Sequence, residues 1–106
     1  MGHKYNAQRT EVDGFVFDSK REARRYQELQ LLERAGQIEH LELQPIFDIS
    51  VNGQKICKYI ADFRYMDLAP GSAGVVVEDS KGVKTDVYKL KKKLVKAVYG
   101  IDVKEV

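Results

Sequence analysis

The chain has 106 residues, 43% of them hydrophobic and 32% charged, a length that makes one small domain and is too short for two independently cored ones. Its 18 Lys and Arg against 16 Asp and Glu give a net charge of +2, which excludes a histone-like polybasic protein; any nucleic-acid site must come from how the charges are placed. One cysteine, Cys57, excludes an internal disulfide framework, and His3 and His40 as the only imidazoles leave no zinc-finger ligand set. The polar start, MGHKYNAQRT, lacks the apolar stretch of a signal peptide and carries Asn6 where a myristoylation motif needs Ser or Thr. No apolar run approaches the roughly 20 residues that span a bilayer. The expectation is a cytoplasmic protein with no membrane contact, one domain over residues 1–106.

Asp13-Gly14, within EVDGFVF, is the dipeptide of a two-residue type I′ hairpin turn, because both central positions need φ > 0. Ser19-Lys20-Arg21-Glu22 reads as a capping box and starts a helix that runs to about Ala35 and stops at Gly36. LELQPIFDISV, from Leu41 to Val51, is β-prone with a proline that demotes part of it to an edge. Asn52-Gly53 turns it into a second strand over 55–66. Val75-Val76-Val77-Glu78-Asp79-Ser80 has the continuous apolar character of a central strand that ends in acids. Thr85 caps a second helix to about Tyr99, closed by Gly100, with Val87, Leu90, Leu94 and Val98 as its expected inward stripe. IDVKEV alternates as a last strand, placed parallel to the third by a right-handed β-α-β crossover. The expected architecture is α/β: an α-β-β-β-α-β mixed sheet flanked by two helices and preceded by a short hairpin.

Strand alternation places Val75, Val77, Asp79 and Lys81 on one face and Val76, Glu78 and Ser80 on the other, so Asp79 and Lys81 converge. Asp62, inside Tyr59–Tyr65, is a lone carboxylate among β-branched and aromatic residues, where burial is costly without a partner or a metal. Glu22 shares a helix face with Tyr26 and Leu29, which turns it toward the sheet; it also has a complete structural explanation as the capping-box partner. Three gathered carboxylates would raise one another's pKa unless a divalent cation held them, and hard oxygen ligands suit Mg²⁺ or Mn²⁺. A lysine beside them can position a nucleophile or neutralise transition-state charge, which suggests phosphodiester hydrolysis. A bare D-x-K, by contrast, is common by chance.

The segments FDSKREARRYQEL, LELQPIF, YIADFRY, VVVEDSKGVKTDVYKLKKKL and YGI, in this order, resemble a family of small phage and bacterial proteins of the PD-(D/E)XK nuclease superfamily, long filed as a domain of unknown function. The resemblance covers Lys4 to Val106 and implies a restriction-endonuclease-like core. It implies that Asp62 is the motif Asp, Asp79 the second acid, Lys81 the motif Lys and Glu22 the helix Glu. Asp62 and Asp79 would then hold Mg²⁺ or Mn²⁺, joined by Glu22, which binds or orients the metal's shell, and by the Ser80 backbone carbonyl. Ala61 replaces the motif proline. Glu78 competes with Asp79 for the second acid, and only Asp79 has the spacing that puts it on one face with Lys81. Gln44, beside Pro45, is expected near the site or the substrate.

Lys89, Lys92, Lys93 and Lys96 fall at i, i+3, i+4 and i+7 and form one helix face, with Lys84 just before it and only Asp86 opposing them in that stretch. Lys20, Arg21, Arg24 and Arg25 surround Glu22. A solvated surface is the bland reading of either cluster; both beside the acids point to phosphate binding. The expected function is a Mg²⁺-dependent DNA endonuclease of recombination or repair, phage-encoded and structure-selective in the manner of a Holliday-junction resolvase, reading backbone and shape, with RNA left open as a substrate; the resemblance implies a 5′-phosphate product. Branched substrates need two active sites and hence a homodimer, for which Leu31, Ile38, Phe15 and Phe17 are candidate contacts. The alternatives are a catalytically inactive nucleic-acid-binding or phage accessory module, and a protein-interaction factor without DNA affinity.

Overall fold

A computed structural model describes residues 9–72, 74–80 and 83–106. The hairpin forms as expected: β1 (Thr10–Val12) pairs antiparallel with β2 (Phe15–Phe17), and Asp13 and Gly14 adopt φ of 53° and 82°. Helix α1 (Lys20–Arg34) starts at Ser19, whose side chain accepts the Glu22 N–H at 3.1 Å, and ends where Gly36 takes a left-handed φ of 75°.

The next two expected strands each come in two pieces. Residues 38–51 form β3 (Ile38–Leu43) and β4 (Ile46–Val51), and residues 54–67 form β5 (Gln54–Ile60) and β6 (Phe63–Asp67). The breaks lie opposite one another. Gln44 takes φ of 50° and Pro45 has no N–H to give to a ladder, while Ala61 and Asp62 leave the strand across from them. Bridging bonds hold the junction: Ala61 N–H to Pro45 O at 3.1 Å and Gln44 N–H to Asp62 O at 2.9 Å. Asp62 is therefore a junction residue and not a strand residue, which removes the conflict between a carboxylate and a pleated position.

β3, β6, β7 (Val75–Asp79) and β8 (Lys104–Glu105) form a four-stranded sheet in the order β3-β6-β7-β8. β7 and β8 are parallel and the other pairs antiparallel, so the sheet is mixed. The crossover between β7 and β8 is α2 (Asp86–Tyr99), capped by Thr85 and closed by Gly100 at φ of 72°. The last strand is shorter than expected, two residues rather than six.

Each helix covers one face. Tyr26 and Leu29 of α1 pack with Phe17, Ile38, Phe63 and Tyr65, and Val76 joins them; Tyr88 and Val95 of α2 pack with Phe47, Ile49, Tyr59, Val77 and Val103. Since Val76 and Val77 alternate across β7, the two cores lie on opposite sides of it. The rotation of α2 corrects the expected stripe: Val87, Leu90 and Val98 are exposed, and the helix seats on Tyr88 and Val95. Tyr99 fixes this rotation by packing edge-on against Phe47 and donating its hydroxyl to Asp48 O at 2.6 Å. Of the expected contact residues, Leu31 and Phe15 are exposed, whereas Ile38 and Phe17 belong to the core. No helix of the described residues is long and apolar enough to cross a membrane.

Phe63 is wholly buried among aromatic neighbours. Phe63→Ala is expected to lower unfolding free energy by about 3–5 kcal/mol, read as a lower urea midpoint.

Candidate functional site

The acids collect at the end of β7, on both of its faces. Glu78 points toward α1, where the Arg25 guanidinium grips it from two nitrogens, Nε to Oε1 at 2.8 Å and Nη2 to Oε2 at 2.6 Å, and Tyr65 donates its hydroxyl to Oε2. Burial pushes the Glu78 carboxyl up, but the hydrogen bonds of Arg25 and Tyr65 and the nearby charge of Arg25 outweigh it, and the carboxyl lies below its ordinary range. The Tyr65 hydroxyl is pushed up by burial and by its bond to Glu78, and the Arg25 guanidinium is pushed up chiefly by the same carboxylate. Glu78 is thus a structural acid held by a bidentate pair.

Asp79 points the other way, toward α2. It is fully buried and accepts the Tyr59 hydroxyl, whose ionisation is pushed far up by burial first and by Asp79 second. Asp62 reaches the same strand end from the junction. Its Oδ2 accepts the Ser80 N–H at 2.7 Å, and its own N–H goes to Glu78 O at 3.1 Å. The structure therefore brings Asp62 and Asp79 together across adjacent segments. Glu22 is buried in the first turn of α1, over the opposite face from Asp79. Among the described residues, no three His, Cys, Asp or Glu side chains stand close enough to hold one ion. Lys81 lies outside the described residues. Gln44 is exposed, and its link to the site is through its backbone bond to Asp62.

The basic residues divide between two grooves. Lys84, Lys89, Lys92, Lys93 and Lys96 line one of about 530 Å³ along α2, together with Tyr88, Asp102, Val103 and Glu105. The i, i+3, i+4, i+7 face is thus a continuous surface, although Asp102 and Glu105, far along the chain from most of these lysines, oppose it as well. Arg21, Arg24 and Arg25 line a second groove on the α1 side with Glu28, Ser80, Lys104 and Val106. Arg25 is committed to Glu78 there, and Arg21 bonds the Val106 carbonyl. Lys20 is exposed at the start of α1.

Sequence reasoning missed Tyr59, Tyr65, Tyr88 and Glu105. The Tyr88 hydroxyl donates to Glu105 Oε2 at 2.8 Å, while Lys84 and Lys92 approach the same carboxylate at 3.1 and 3.4 Å. The bond from Tyr88 and those lysines hold the Glu105 carboxyl down at about 2. The Tyr88 hydroxyl is pushed up by burial, by Glu105 and by the further charges of Asp79 and Asp62. The i, i+4 spacing of Tyr88 and Lys92 is a readable signal for a shared helix face; the parallel register that brings Glu105 opposite Asp79 is not.

A family profile described as a protein of unknown function, DUF1064, matches residues 2–105. No curated protein matches the chain. No solved structure matches it either.

Arg25→Ala leaves Glu78 buried without its cation, and a loss of about 3–5 kcal/mol in urea unfolding is expected, with Arg25→Lys intermediate because it cannot reproduce the fork. For Glu105 the folded pKa of about 2 lies below the ordinary carboxylate value of 4.5. Its stabilisation is fully present above 4.5 and is lost as pH falls toward 2. Thermal melts over this interval should show a falling midpoint, less steep in Glu105→Gln.

Proposed function

We propose that this chain, which belongs to the DUF1064 family of proteins of unknown function, is a metal-dependent DNA endonuclease with a restriction-endonuclease-like core of the PD-(D/E)XK kind, acting in the cytoplasm. The observation that carries this reading is the bond from Ser80 N–H to Asp62 Oδ2, which draws Asp62 to the end of the strand that bears Asp79. Two carboxylates from neighbouring segments at one end of a mixed sheet, with a lysine-lined groove on one side and an arginine-lined one on the other, suit a phosphodiester.

The donor chemistry fits Mg²⁺ or Mn²⁺. Both acids offer hard oxygens, and Mg²⁺ is commonly held by one or two carboxylates with the remaining positions left to water and substrate phosphate. Asp62 and Asp79 would hold the ion, which when bound supplies Lewis-acid stabilisation of the phosphoryl oxygens. Tyr59 orients Asp79, and Ser80 N–H orients Asp62. Lys81, two residues beyond Asp79, takes the role of positioning the nucleophile. Glu22, buried in the first turn of α1 over the opposite face from Asp79, is left out of the ion's ligands in this reading. Lys84, Lys89, Lys92, Lys93 and Lys96 contact backbone phosphates; Lys20, Arg21 and Arg24 do so from the other side. Selectivity for branched DNA, with a homodimer supplying two sites, is the finer form of this reading.

A second reading is a non-catalytic nucleic-acid-binding module. It is favoured by the complete burial of Asp79 beneath Tyr59.

Incubating the protein with single-stranded, duplex, flap and four-way DNA in Mg²⁺ or Mn²⁺ tests the first reading directly. Asp62→Asn, which keeps an acceptor for the Ser80 N–H, and Asp79→Asn should each lower cleavage by about a hundredfold or more while DNA retention and circular dichroism persist. Unchanged nicking by both variants would refute it. Calorimetry with Mn²⁺ separates the two readings: heat that disappears in Asp62→Ala belongs to the nuclease, and no heat near neutral pH belongs to the binding module.

A further inference from the structure

Tyr88 and Lys92, four residues apart, lie one above the other on the same side of α2, and Lys84, just before the Thr85 cap, reaches the same place from the entry to the helix. All three converge on one carboxylate, that of Glu105, and both of its oxygens are engaged: Oε1 by Lys84 at 3.1 Å, Oε2 by Tyr88 at 2.8 Å and Lys92 at 3.4 Å. Two cations and a buried hydroxyl arranged around a two-oxygen anion are also what a phosphodiester group requires, since it too presents two charged non-bridging oxygens.

Three further features distinguish this seat from an ordinary surface ion pair. It lies in the lysine-lined groove, where Lys89 and Lys93 extend the positive surface beyond it. Glu105 itself comes from a two-residue strand and keeps 29% of its side chain exposed, so its carboxylate can leave without opening the core. Tyr88, by contrast, is buried in the core, so its ring stays in place when Glu105 moves away. Glu105 also pairs in register with Asp79, which sets the seat one strand from the candidate acids.

We propose that Lys84, Tyr88 and Lys92 form a phosphate seat for the nucleic-acid backbone, that Glu105 fills it in the free protein, and that the backbone displaces Glu105 on binding. Glu105 is then an internal competitor that lowers the affinity of the groove and limits binding to ligands able to replace it. This rests on the nucleic-acid reading above and deepens it by naming the contact and its regulator.

The test uses the full chain in EDTA, so that binding is read without cleavage, with a short fluorescein-labelled duplex followed by anisotropy across a KCl series. Glu105→Gln should bind about tenfold more tightly than the unmodified protein at low salt, and its plot of log K against log salt should steepen by about one. Adding Lys92→Ala to Glu105→Gln should remove the gain. A second readout keeps Glu105 in place: at neutral pH the carboxyl ¹³C resonance of Glu105 should move when the duplex is saturating, because the carboxylate leaves Lys84, Tyr88 and Lys92. Binding by the unmodified protein with no gain in Glu105→Gln, or with an unmoved Glu105 resonance, overturns the seat and leaves the nucleic-acid reading intact. No binding by either protein at the lowest salt overturns both.

Discussion

Asp62 ties its own segment to two others by three hydrogen bonds. Its carbonyl accepts from Gln44, its N–H donates to Glu78 and its carboxylate takes the N–H of Ser80. Through these bonds the junction between β3 and β4, the junction between β5 and β6, and the end of β7 are held in one place. An aliphatic residue at position 62 could make the two backbone bonds but would leave the Ser80 N–H without its acceptor. The structural and the proposed chemical roles of Asp62 thus share a cause: the chain must break there, and a carboxylate completes the break.

Around that junction a small domain keeps neighbouring acids buried by giving each its own donors. Glu78 has Arg25 and Tyr65 on the α1 side, and Asp79 has Tyr59 on the α2 side. Strand alternation separates the two carboxylates to opposite faces, so adjacent positions in sequence do not share one environment. Glu105, next in register to Asp79, is matched in turn by Tyr88, Lys84 and Lys92. The tyrosines matter because a phenol combines apolar bulk for the core with a hydroxyl for an acid at its edge. The near-neutral total charge is therefore built from local pairings with a lysine-rich surface around them.

The elements with local signals were readable before the structure. Asp13-Gly14, the Ser19 cap, Gly36, Asn52-Gly53, Thr85 and Gly100 each mark a boundary by their own conformational chemistry, and each stands where expected. The breaks opposite one another were only half readable: Pro45 signalled an irregularity, but nothing local indicated that Ala61 and Asp62 would leave the ladder facing it. The rotation of α2 is not legible in the regular apolar stripe of Val87, Leu90, Leu94 and Val98: only Leu94 of these packs on the core, and the sheet takes Tyr88 and Val95. Periodicity reports which residues share a face; the partner surface selects the face. The choice between Glu78 and Asp79 was framed by alternation, and the engagement of Glu78 by Arg25 became visible only once α1 lay on that side.

The sequence by itself determined the α/β order, the helix limits, the turns and the alternation of acids along β7, because each depends on interactions among residues close in the chain. Tertiary structure decided which acids meet, which cations are already committed and which lysines face a carboxylate. Those outcomes depend on strand register and on the side of the sheet each helix covers. Contacts such as Arg25 with Glu78, 53 residues apart, carry no local pattern.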